Sequence, residues 1–278
     1  QKKTTGADES QLEMAKKLRL TLDQHYELYE YCKKIGISYL STAFDIESVK
    51  FLDSLDLPFW KIPSGEITNL PYLIEIGKTE KPVVMSTGMA ELCEISDAVD
   101  ILKDNGTTDI TLLQCHTDYP TEMDNVNLNA MITLKKKFNT PVGLSDHSIG
   151  IEVPIAAVAL GAKVIEKHFT LDRTMIGPDH LASIEPDELA RMVKAIRNIE
   201  KAMGDGEKKC SPIERANIIV ARKSIVAKRD IKKGELLTEE NITTKRPGNG
   251  VSAMKWFDVL GTKAIKDFEE DELICIEP

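Results

Sequence analysis

A chain of 278 residues, 42% hydrophobic and 29% charged, has the make-up of a soluble globular protein with one large core and room for a small second domain, which excludes extensive disorder. Its 36 basic and 45 acidic residues leave a net charge of −9, which argues against nucleic acid or an anionic membrane as a partner while allowing a local basic pocket for a small anion. The longest apolar stretch, around Val153 to Leu160, falls far short of the roughly 20 residues that span a bilayer, and no basic-then-apolar leader opens the chain, so the reading is cytoplasmic. The five cysteines (Cys32, Cys93, Cys115, Cys210 and Cys275) are scattered with no CxxC pair. They read as buried, inert thiols rather than as a disulfide framework or structural zinc site.

The opening residues 1–10 (QKKTTGADES) are polar, lack an initiator methionine and read as the middle of a loop. A helix is predicted over residues 10–36. Short apolar or β-branched runs then alternate with longer segments of helical period, the signature of parallel βα units. Six strands are expected, at residues 37–44, 59–65, 82–88, 110–116, 141–147 and 162–169. Between them lie helices such as 92–105, stopped by Gly106, and 127–138. The last unit closes with a helix over 186–203, whose proline is tolerated in a first turn and which ends before Gly204.

Nearly continuous apolar strand interiors (ITLL, PVVM) call for burial on both faces. Each run delivers its polar residues at its C-terminal end, as STAF, KIPSGE, STG, QCHTDY, SDH and EKHF. In a TIM barrel those ends converge on one mouth, whereas a doubly wound sheet gathers them at a switch point and usually carries a glycine-rich phosphate loop. The expected fold is therefore α/β, a TIM (β/α)8 barrel over residues 1–203. Because closure takes eight strands, the first two βα units are expected to be missing from the N-terminus. Residues 204–217 (GDGEKKCSPIERAN) read as a polar linker, and residues 218–278 as a small, mostly β domain.

His147 and His168 close the last two predicted strands, with Ser145 and Glu166 two residues before them. Side chains two apart share a face, and parallel neighbours lie about 4.8 Å apart, so both imidazoles can address one point. That suits a divalent ion such as Mn²⁺ with open positions better than a closed zinc site, and hydrogen-bonded core histidines are the competing reading. Lys61, Ser64 and Glu66 in WKIPSGE, with Ser86, Thr87 and Gly88 in MSTGM, offer one cation, several donors and accessible backbone to a phosphate or carboxylate. Each motif is weak alone; on consecutive strands they point to an anion site. Asp179 in IGPDH lies beside the same mouth, or caps a turn. Tyr119 in TDYPT can stack on a sugar or serve the core. Arg246 in KRPGNG reads, on composition, as a surface arginine.

In this order, LSTAFD, FWKIPSGEITNLPYL, VMSTGM, LLQCHTDYPT, GLSDHS, VIEKHFTLD, GPDHLASIEPDEL and TTKRPGNG resemble bacterial N-acetylneuraminate (sialic acid) synthases and their N,N'-diacetyllegionaminate synthase relatives, from about Lys3 to the C-terminus. The resemblance implies a TIM barrel followed by an antifreeze-like (SAF) domain. It implies condensation of phosphoenolpyruvate with N-acetylmannosamine and water to give N-acetylneuraminate and phosphate; the alternative substrate is 2,4-diacetamido-2,4,6-trideoxymannose, giving N,N'-diacetyllegionaminate. Position by position, it makes His147 and His168 ligands of a divalent metal, Mn²⁺ or Mg²⁺. Lys61, Ser64, Ser86 and Ser145 then match positions holding phosphoenolpyruvate, with Thr42 close by. Glu66, Tyr119, Asp179 and Arg246 match positions near the N-acetylated amino sugar, and Glu166 an acidic group by the metal; Glu166, Lys61 and Glu66 form the catalytic set. The family resemblance also implies a domain-swapped homodimer in which Arg246 reaches the partner's site. Ala43, Gln114 and Glu122 depart from the family pattern at positions that usually hold proline, histidine and proline. The two absent strands normally supply a glutamate and a phosphoenolpyruvate-binding lysine, so the chain is expected to be inactive alone. Two other classes compete: a metal-dependent pyruvate aldolase, and a non-enzymatic binder of ice or a partner, which the charged KRDIKKGE and KDFEEDE segments disfavour.

Overall fold

Five short parallel strands line up in chain order, each joined to the next by a segment that includes a helix. The computed structural model describes residues 11–276. The predicted loop at residues 1–10, the start of the predicted first helix and the last two residues of the predicted second domain lie outside them. The chain divides into two compact units, Gln1–Gly204 and Asp205–Pro278.

In the first unit the strands are β1 (Trp60–Ile62), β2 (Val83–Ser86), β3 (Ile110–Cys115), β4 (Val142–Asp146) and β5 (Ile165–Lys167). Their register runs Trp60↔Val83, Val83↔Ile110, Leu112↔Val142 and Leu144↔Ile165. The residues of β2 and β4 are buried throughout, as expected of strands covered on both faces. Trp60, Ile62, Met85, Leu112 and Leu144 carry the strand contribution to one continuous core. The helices supply the rest: α5 (Leu92–Asp104) buries Ile95, Ala98, Val99 and Leu102, the i, i+3, i+4, i+7 stripe of an amphipathic helix, and starts at a capping box between Glu91 and Glu94. The remaining helices of this unit are α1 (Gln11–Leu18), α2 (Leu22–Ile35), α3 (Ile46–Asp53), α4 (Leu70–Gly77), α6 (Ala130–Phe138), α7 (Glu152–Ala159) and α8 (Pro186–Met203).

The single helix predicted over 10–36 is broken in two. Thr21 adopts extended backbone and its hydroxyl accepts from the Gln24 amide, starting α2 afresh, and Gly36 ends it at φ 80°, where a Cβ would be disfavoured. The predicted helix at 127–138 begins only at Ala130, because Asn127 sits at φ 50°. The strand expected at 37–44 does not form. A strand is defined by a neighbour's ladder bonds, and β1 pairs only with β2, while the Ala43 carbonyl accepts instead from the Tyr72 hydroxyl at 2.9 Å. The expected six strands are therefore five, in an open parallel sheet.

The second unit begins with α9 (Pro212–Ala221), capped by a box between Ser211 and Glu214 inside what reads from sequence as linker. An antiparallel pair follows, β6 (Ser224–Ala227) with β7 (Ile242–Lys245), in register Ser224↔Lys245. Single bridges Val226↔Leu273, Ile231↔Phe268 and Leu236↔Lys263 knit the remaining turns around Ile225, Leu237, Val259, Phe268 and Ile274. Cys93 and Cys210 are exposed, contrary to the reading of all five cysteines as buried, and the five thiols are unpaired. Among the described residues no helix is long and apolar enough to cross a membrane.

Candidate active site

The C-terminal ends of the parallel strands open into a cavity of about 570 Å³ lined by Thr42, Lys61, Ser64, Ser86, Tyr119, Ser145, His147, Glu166 and His168. Period-two alternation puts Ser145 and His147 on one face of β4 and its extension, and Glu166 and His168 on the matching face of β5. Because Ser145 and Glu166 are register partners, the Ser145 hydroxyl donates to Glu166 Oε1 at 2.6 Å, and Glu166 Oε2 faces Lys61 Nζ at 3.2 Å. Lys61 is mostly buried and also donates to the Ile62 carbonyl at 3.3 Å.

Across the cavity, Ser64 Oγ accepts from the Gly88 amide at 2.9 Å. That approach needs glycine: a Cβ at position 88 would fall 2.7 Å from Thr117 Cγ2 and 2.9 Å from Ser64 Oγ. Ser86 is 2% exposed, and its hydroxyl has no hydrogen-bond partner among the described residues. Such a group is costly unless a water or a ligand meets it.

The two imidazoles lie with ring centroids 5.2 Å apart and planes at 70°. Tyr119 stacks on His147 at 4.0 Å and meets His168 edge-on at 5.4 Å. His147 Nδ1 lies 2.6 Å from the His116 carbonyl, a contact that requires an N–H there and leaves the Nε2 lone pair free. Burial lowers the His147 pKa below the usual histidine value; the bond to His116 opposes this and neighbouring His168 reinforces it. The neutral, ligating form is thereby favoured. Burial, with help from Cys115, Asp179 and Glu166, pushes the Tyr119 phenol up to about 12, so it remains an O–H donor. Asp179 Oδ2 lies 3.8 Å from His168 Nδ1.

Two neighbouring imidazoles, one of them oriented by the His116 carbonyl, beside open space and with a carboxylate nearby, fit a divalent ion whose other positions are open. No group of three or more His, Cys, Asp or Glu with ligand geometry occurs among the described residues.

Not every predicted residue lines the cavity. Glu66 sits on the single-turn helix Ser64–Glu66 with Oε2 accepting from Asn69 at 2.6 Å, and Asp179 stands beside His168 on a half-exposed loop. Arg246 belongs to the second unit, where its Nε donates to the Ala221 carbonyl at 3.0 Å. Conversely, Cys115, Thr117, Phe44 and Met89 line the cavity without having been singled out. Behind the site, Asp146 and Lys167 form an ion pair at 2.6 Å with side chains 2% and 4% exposed. Its signal was available: a charge within a buried strand must find a partner.

Residues 1–208 match the NeuB family and residues 222–275 a SAF domain. The chain is 57% identical over 276 residues to N,N'-diacetyllegionaminic acid synthase of Campylobacter jejuni, covering 99% of this chain and 83% of that protein. It is 38% identical to human N-acetylneuraminate-9-phosphate synthase, covering 94% of this chain and 73% of the human protein. Among solved structures, N-acetylneuraminic acid (sialic acid) synthetase from Leptospira borgpetersenii in complex with citrate superposes with a TM-score of 0.70 at 36% identity, covering 74% of this chain and 72% of that one. With a family match over most of its length and relatives this similar, the chain belongs to the NeuB family and is a sialic-acid-type synthase.

Proposed function

We propose that this enzyme joins phosphoenolpyruvate to the open-chain form of an N-acetylated amino sugar, with water, giving a nine-carbon acid and phosphate. The observation that carries the reading is one cavity holding both a close pair of imidazoles and, beside it, Lys61 with a Ser86 hydroxyl that has no partner among the described residues. His147 and His168 would hold Mn²⁺ or Mg²⁺, which when bound supplies Lewis acidity toward a carbonyl oxygen.

The chain's own groups do the rest. Lys61 offsets charge on the phosphate and carboxylate, and Ser64 and Ser86 donate to their oxygens, with Thr42 and Ser145 at the edge of the same cavity. So placed, the methylene carbon of phosphoenolpyruvate bonds to the sugar's aldehyde carbon as the carbonyl π pair moves onto the aldehyde oxygen, which takes up a proton to become a hydroxyl. Water adds to the neighbouring carbon, and the bond from that carbon to the phosphate oxygen breaks. Glu166, held by Ser145 and Lys61, is placed to take the proton of that water. Tyr119 donates to a sugar oxygen through its protonated phenol, with Asp179 and Glu66 flanking the sugar. Arg246 reaches the site of a second copy in a domain-swapped homodimer. The open sheet is read as part of a TIM barrel, which the sequential parallel order and the position of the cavity at the strand ends support. A cytoplasmic location completes the reading.

For the sugar, the 57% identity to the Campylobacter enzyme supports 2,4-diacetamido-2,4,6-trideoxymannose, and the similarity to the Leptospira synthetase supports N-acetylmannosamine. Phosphate release with phosphoenolpyruvate and each sugar in turn is the test. Release with the diacetamido sugar at the higher kcat/KM is expected. A chain that consumes pyruvate and liberates no phosphate would be an aldolase, and the proposal would fail.

A further inference from the structure

The two strands that carry the imidazoles are locked together from behind by charge. Asp146 and Lys167 are register partners on β4 and β5, each lying between the cavity-facing residues of its strand: Ser145 and His147 on one side, Glu166 and His168 on the other. Alternation therefore points both side chains to the face opposite the cavity. There Lys167 Nζ donates to Asp146 Oδ2 at 2.6 Å and to the Ser148 carbonyl at 2.6 Å, while Asp146 Oδ1 accepts from the Ser148 hydroxyl at 2.7 Å and the Ser148 amide at 3.0 Å. Both side chains are almost wholly withdrawn from water.

A buried ion pair is seldom the most stabilising choice, because desolvating two charges offsets most of their attraction; well-packed apolar residues of similar size often do as well or better. What apolar packing lacks is direction. Hydrogen bonds between the pair and Ser148 fix one register and one spacing at the point where the strands end, and Ser148 bridges on to Thr121, whose amide donates to the His147 carbonyl at 2.9 Å. We infer that Asp146 and Lys167 are positioning residues that set the separation and facing of His147 and His168, and so set affinity for a divalent cation. The inference rests on the metal reading above.

The test is Mn²⁺ titration of the full chain, followed by electron paramagnetic resonance, together with thermal melting. Lys167→Met leaves Asp146 charged and unpaired, and is expected to lower both Tm and Mn²⁺ affinity. Asp146→Asn with Lys167→Met removes both charges at nearly constant shape and is expected to recover most of the Tm, while Mn²⁺ affinity stays about 10-fold or more below wild type, in the range seen when the groups orienting metal ligands are lost. A purely structural pair predicts instead that affinity returns with Tm, and a double variant within about twofold of wild type overturns the inference even though the metal reading stands. Should the double variant not fold, Ser148→Ala removes one bond to Asp146 and keeps both charges; about threefold weaker Mn²⁺ binding is expected, and unchanged affinity again overturns the inference. A wild-type chain that takes up no Mn²⁺ sinks the metal reading itself and this inference with it.

Discussion

The two halves of the cavity are built differently. At the imidazole end, His147 is fixed at both edges, by the His116 carbonyl on Nδ1 and by the Tyr119 ring on its face, and the strand pairing behind it is locked. Around Lys61, the ammonium pairs with the Glu166 carboxylate, and Ser86 keeps a buried hydroxyl without a partner among the described residues. On the proposed reading, the protein's own contacts set the first half, whereas a ligand completes the second. Rigidity is concentrated where a cation needs fixed donors, and unsatisfied polarity where a multiply charged substrate can repay it.

The largest expected effect strikes the first half. His168→Ala should reduce phosphate release about a thousandfold or more in a catalytically competent assembly and remove most Mn²⁺ binding, with the fold intact by circular dichroism. Unchanged metal-dependent turnover would erase the contrast between the halves. A smaller and more discriminating change falls on the other half. Ser86→Ala deletes the unpartnered hydroxyl, so phosphoenolpyruvate should bind about tenfold more weakly, measured by calorimetry, while Tm holds or rises. If Tm instead falls, the hydroxyl is already satisfied in the free protein.

The smallest effect is a pH shift. The folded-state pKa of His147 is lowered, so between its folded and unfolded values the unfolded chain binds the extra proton. Its neutral form therefore persists as pH drops past the usual histidine range, and the penalty to stability and to cation binding sets in only below about 6.5. Following the ring carbons by NMR should place this midpoint below that of an ordinary histidine; a midpoint at or above it would mean that burial does not govern the ring.

Much of this was readable from residue order. His147 and His168 come together because a period of two survives in any strand register, so pairing Ser145 with Glu166 carries the imidazoles along. Ser64 and Ser86 were legible because each ends a run of apolar residues, and Lys61 because it is a lone charge inside one. What failed depended on partners. The run at 37–44 has strand composition but no ladder partner among the described residues, and Ile37 and Phe44 stay 60% and 65% exposed. Thr21, inconspicuous in sequence, starts a second helix because its hydroxyl can satisfy a backbone amide. Asp146 and Lys167 are marked in sequence only as charges within buried strands, because alternation, which reveals which residues share a cavity, does not name the partner on the reverse side.

The contact between Gly88 and Ser64 has one further consequence. By receiving the Gly88 amide hydrogen on its oxygen lone pair, the Ser64 hydroxyl is turned so that its own hydrogen must leave in another direction. A methyl group at position 88 would wedge the two apart, so the smallest side chain in the sequence decides where a proton points.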